Sequence, residues 1–179
     1  MTRPVRQGYL ACGFHTPGLS SPDLVSLDLT ADVLGGGISS RLYRRLREER
    51  RLLWSIGTNL ISYRHSGLLG IFAETPPERL GLSLEAIREE LKRLGEEPAT
   101  LEEIARAKAR IRSEWIAELE TLHGQAAVIG HLAALGLERL AHTYLSDLER
   151  IRPADIQSTW SVLLKDQPMA VAMLKPQAS

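Results

Sequence analysis

Arg47 and Trp54 stand seven residues apart, one near the end of a short basic helix and the other opening a strand. A guanidinium offers a rigid planar fork of N–H donors. Such a fork stays charged and can hold an oxygen acceptor, and donors of this kind aimed at developing negative charge act most strongly where water is excluded. An indole adds one N–H donor, no acceptor and a broad apolar face. On residue type alone the structural role is the favoured one: Arg47 as a surface ion-pair partner and Trp54 as a half-buried strand aromatic.

The segment holding this pair, residues 34–57, reads LGGGISSRLYRRLREERRLLWSIG. Leu34 ends a helical pattern and Gly35, Gly36 and Gly37 follow, permitting backbone conformations closed to other residues. Ser39 or Ser40 can cap the next helix by accepting from its free N–H groups. Leu42 and Leu46 then lie one turn apart and point inward. Arg41, Arg44, Arg45, Arg47, Arg50 and Arg51 make that helix densely basic. The spacing predicts Arg44–Glu48 and Arg45–Glu49 pairs on a solvated face. Lys plus Arg equals Asp plus Glu at 22 each, so total charge does not point to nucleic acid or an anionic membrane.

Other chemistries find little support. His15, His65, His123, His131 and His142 include no two spaced three to five apart, as a helical zinc pair requires. Cys12 is the single cysteine, lies in an apolar strand, and reads as a small core residue. There is no Gly-x-Ser-x-Gly elbow, and the triple glycine lacks the Lys-Ser/Thr ending of a Walker loop. No apolar run reaches the roughly 20 residues that span a bilayer. The N-terminal stretch has no long apolar region typical of a signal peptide. Localisation is therefore read as cytoplasmic or periplasmic, depending on any segment that precedes this one.

Residues 34–55 resemble the second, non-catalytic domain of pitrilysin/insulinase-family zinc peptidases. Gly36, Gly37, Ser40, Arg41, Leu42, Leu46, Arg47, Glu48 and Ser55 match that pattern, and Trp54 stands where the family usually has tyrosine. The resemblance extends from about Gly8 to Pro176. It implies no metal site in this chain and zinc in a partner catalytic domain, whose inverted His-x-x-Glu-His motif is absent here. It also implies that Arg47 and Trp54 bind peptide substrate, reaching into a chamber that the two domains close together. An alternative within the same superfamily is a non-proteolytic scaffold or assembly domain.

The remaining patterns place these residues on a fold. Gly8–Phe14, Trp54–Ile61, Leu68–Glu74 and Pro168–Leu174 read as strands. Ser21-Pro22-Asp23 starts a helix, and Leu80, Leu84, Ile87, Leu91 and Leu94 make the apolar stripe of another. Thr100 and Glu103 form a capping box, and Pro153 opens the last helix. This order predicts one α+β domain over residues 1–179: a two-layer sandwich with a mostly antiparallel sheet of four or more strands and helices on one face. Such a sheet leaves an apolar surface for a sister domain, so a homodimer or pseudo-dimer is expected of the isolated chain.

Overall fold

A computed structural model describes Thr2, Arg3 and residues 6–176, with side chains from Arg6 onward. Its strands are β1 (Thr2–Arg3), β2 (Gly8–Thr16), β3 (Ser55–Ser62), β4 (Gly67–Thr75) and β5 (Ala170–Pro176). They form one sheet in the order β1-β5-β2-β4-β3. The β5-β2-β4-β3 pairs are antiparallel, and only the two-residue β1 lies parallel, against β5. The expected antiparallel α+β arrangement is present. β1 is an addition that no periodicity announces, because two residues are too few to show an alternation.

Alternation along the strands decides which face is covered. In β2, Leu10, Cys12, Phe14 and Thr16 are buried while Tyr9 and His15 are exposed; in β4, Leu69, Ile71 and Ala73 are buried while Leu68 and Phe72 are exposed. One face therefore carries the core and the other is open. The helices are α1 (Leu24–Gly35), α2 (Leu80–Glu96), α3 (Leu101–Leu119), α4 (Leu122–Ala134), α5 (Glu138–Arg150) and α6 (Pro153–Thr159). α6 continues into a π-helical turn, Trp160–Leu164. α1 and α2 pack on the sheet, and α3, α5 and α6 pack on α1.

α1 is buried almost all round, as an apolar helix at the centre of a core must be. Its close approach to β3 depends on Gly35, where a Cβ would come within 2.4 Å of the Thr58 side chain. The Thr58 hydroxyl donates to the Ala31 carbonyl across the same contact, at 2.8 Å. Trp160 meets Phe14 edge-on at 6.3 Å, joining the last helix to β2. The capping box read at Thr100 is present, with Thr100 N donating to Glu103 Oε2 and Glu103 N donating to Thr100 Oγ1. Cys12 is buried in the core, and that burial pushes its thiol up to about 11 despite the opposing charge of Arg88. A thiol so placed is a packing group rather than a nucleophile.

Candidate functional site

The basic segment adopts a π-helix over Tyr43–Glu49. Its looser winding carries the chain through Arg50 N donating to Arg45 O at 3.1 Å and Leu52 N donating to Leu46 O at 2.9 Å. π-helical turns are uncommon and concentrate at functional sites. Arg51 follows with φ of 50°, a left-handed conformation unusual for a side chain of its size. Two anchors hold this strained connection. Leu52 and Leu53 are buried, and the Thr75 hydroxyl donates to the Leu52 carbonyl at 2.9 Å. Arg79 Nη1 donates to the Arg51 carbonyl at 2.9 Å. The reversal lays Trp54 directly beside Arg47.

The two residues singled out in the sequence are thus neighbours in space. Arg47 Nε donates to the Trp54 carbonyl at 2.6 Å. The guanidinium carbon sits 4.6 Å from the centre of the Tyr43 ring, a cation–π contact. Both residues are exposed, Trp54 at 48%. Trp54 N donates to the Glu74 carbonyl at 2.8 Å, tying it to β4 beyond the start of β3. Arg47 is therefore oriented through Nε and Tyr43, while its two terminal nitrogens have no partner among the described residues. A fork held at its base with two outward donors can receive one carbonyl or oxyanion.

The rest of the basic cluster divides differently from its sequence reading. Arg41 is buried and bonds Glu103 through Nε and Nη2, at 2.9 and 3.0 Å. It also donates to the carbonyls of Glu97 and Pro98, at 2.9 and 3.0 Å. It is the clamp on the α2–α3 connection. Arg45 reaches Glu90 and Glu97, and Arg50 reaches Glu89. The Arg45–Glu49 pair expected at i,i+4 gives way to these contacts because a π-helix no longer stacks residues four apart, and α2 offers carboxylates instead. Arg44 remains on the exposed side of the turn.

A polar cluster elsewhere went unread in the sequence. Asp28 and Asp32 project from α1 toward Tyr144 of α5 and Arg110 of α3. Two carboxylates four apart on an otherwise apolar helix are visible in LVSLDLTADVLG. The apolar spacing of that helix masked them.

A family model described as "Peptidase M16 inactive domain" matches residues 1–111, more than half of the chain. The chain belongs to the peptidase M16 inactive-domain family. An uncharacterized zinc protease of Rickettsia bellii is 30% identical over 161 residues, which cover 89% of this M16 domain and 39% of that relative. A protease from Helicobacter pylori has the same fold, with a TM-score of 0.89, 21% identity, and coverage of 98% of this chain and 43% of that one. A chain of Complex III2 from Candida albicans also shares the fold, at a TM-score of 0.80 and 19% identity, over 98% of this chain and 44% of that one. The M16 domain spans about two-fifths of the curated relatives it matches. No helix among the described residues is long and apolar enough to cross a membrane.

Proposed function

We propose that this domain is the non-catalytic half of a zinc-dependent peptidase, completing a chamber in which a sister domain supplies the zinc. The observation that carries this reading is the oriented Arg47 fork beside exposed Trp54, with two donors unengaged among the described residues. The family's inactive-domain description and its zinc-protease relatives support it. In such a chamber the partner's zinc would polarise the peptide carbonyl and activate water. Arg47 would hold the carbonyl of the bound peptide and gain strength as that oxygen becomes negative. Trp54 would supply an indole N–H and an apolar wall against the peptide, a narrower role than a phenol allows, because indole accepts no hydrogen bond.

The test pairs this chain with its cognate zinc-bearing domain and measures peptide hydrolysis. Arg47→Ala should lower kcat/KM by roughly 10²–10³, the range for losing one oxyanion-side donor. Arg44→Ala, on the exposed side of the same turn, should leave it unchanged. Equal small effects from both would remove the chamber role from Arg47.

A second reading is a non-proteolytic scaffold domain. The fold shared with a chain of Complex III2 favours it, as does tryptophan in place of the usual tyrosine. In that case the bond from Arg47 to the Trp54 carbonyl serves only to hold the turn. A cognate partner lacking any intact His-x-x-Glu-His motif would decide for the scaffold.

A further inference from the structure

A cavity of about 640 Å³ opens between α1, β3, α3, α4 and α5, and neither Arg47 nor Trp54 lines it. Leu60, Leu132 and Leu140 contribute apolar wall, and the Trp115 ring lies stacked on Tyr144 at 4.4 Å and 15°. Its charged groups are Asp28, Asp32, Glu114 and Arg110, with His131 alongside. Apolar walls with a few converging polar groups are the usual make-up of a small-molecule site.

The charges do not balance. Arg110 is engaged by both Asp32 and Glu114. Asp28 is left with the Tyr144 hydroxyl, a neutral donor, as its partner among the described residues. A partly buried carboxylate whose hydrogen-bond partner is a neutral hydroxyl, and whose neighbouring cation is already paired elsewhere, gains from a further cation. Burial is the main influence raising the Asp28 carboxyl above its ordinary value; the Tyr144 bond and the charge of Arg110 oppose it, and Glu114 adds to the rise. The excess negative charge disfavours an anion. A metal ion is disfavoured too, since no group of three His, Cys, Asp or Glu side chains among the described residues could hold one. An organic cation fits these conditions, because the leucines would take an apolar stem, Asp28 a charged head, and Trp115 and Tyr144 bring aromatic rings to the same lining.

We propose that this cavity binds an organic cation with an apolar stem, an alkylguanidinium or alkylammonium group of the kind carried by basic peptide side chains, with Asp28 as its counter-charge. This site is independent of the chamber reading and would stand if that reading fell.

The test titrates the purified chain at pH 8 with n-butylguanidinium and n-butylammonium, and with neutral n-butylurea as control. Calorimetry follows affinity, and two-dimensional NMR follows the three tryptophan indole N–H signals. At least one of the cations should bind saturably and shift the Trp115 signal while those of Trp54 and Trp160 stay in place. Asp28→Asn should weaken binding tenfold or more, and Glu118→Gln, on the exposed side of α3, should not alter it. The wild-type NMR result stands alone should Asp28→Asn fail to fold. Absence of binding at 100-fold excess, equal binding of the urea, retained affinity in Asp28→Asn, or shifts confined to Trp54 would each overturn the proposal.

Discussion

At Arg47 and Arg41, two arginines six positions apart, the same side chain serves opposite purposes. Arg41 is buried against a carboxylate and two carbonyls, whereas Arg47 is exposed with part of its fork unengaged. Removing one member of a buried ion pair leaves the other uncompensated, at a cost of about 3–5 kcal/mol. Arg41→Ala should therefore lower the urea midpoint sharply. Arg47→Ala should cost about 1 kcal/mol, the net worth of a single hydrogen bond. A comparable loss in both variants would show that Arg47 is a structural clamp as well. Trp54→Tyr restores the residue usual in the resembled family and should preserve or raise the activity of an assembled peptidase, read as kcat/KM.

Among the elements, α1 carries the sharpest conflict between pattern and chemistry. Its apolar faces place it in the core, yet Asp28 and Asp32 lie along it. Burial pushes the Asp32 carboxyl up to about 6, although the Arg110 bond pulls the other way. A carboxyl at 3.8 when unfolded and near 6 when folded binds its proton more tightly in the native state. Its contribution to stability therefore falls as pH rises from about 4 to about 6, and is level above that. The comparison that isolates it is the urea midpoint at pH 4.5 and at pH 7.5, in wild type and Asp32→Asn. The wild type should lose more stability than the variant over that interval. Glu103 moves the opposite way: burial raises it, but the Arg41 and Thr100 bonds hold its carboxyl below the usual value. It is common to both proteins and cancels in the comparison. Identical pH slopes would show that Asp32 does not titrate in this window.

For the whole molecule, the open sheet face bears on assembly. Tyr9, Ile61, Leu68 and Phe72 stand on it, between 37% and 49% exposed. α4 adds a helix with no Asp, Glu, Lys or Arg, and Leu122 and Ile129 are exposed on it. An open sheet face lined by exposed apolar side chains is the kind of surface expected to associate. The curated relatives are more than twice as long as the portion matched here. The isolated chain is expected to self-associate through the sheet face in analytical ultracentrifugation, and Phe72→Glu should drive it to monomer. A wild type that stays monomeric at millimolar concentration would mean that this face has no partner of its own kind.

Periodicity in the sequence is enough for the four longer strands, the order of the helices between them and the buried stripe of α2, because burial on one face imposes a spacing on apolar residues that needs no knowledge of the rest of the chain. Local chemistry was enough for the Thr100–Glu103 box and the glycine-terminated α1, since both partners lie within a few residues. Arg47 and Trp54 could be named as a pair, but not brought to 2.6 Å. That contact depends on a π-helical turn and a left-handed Arg51, held by Leu52, Leu53, Thr75 and Arg79 from outside the segment. The cavity was beyond reach for the same reason. Asp28 meets Tyr144 across 116 positions and Asp32 meets Arg110 across 78. Pairings at such separations follow from how α1, α3 and α5 pack, and packing is a property of the assembled core rather than of any window of sequence.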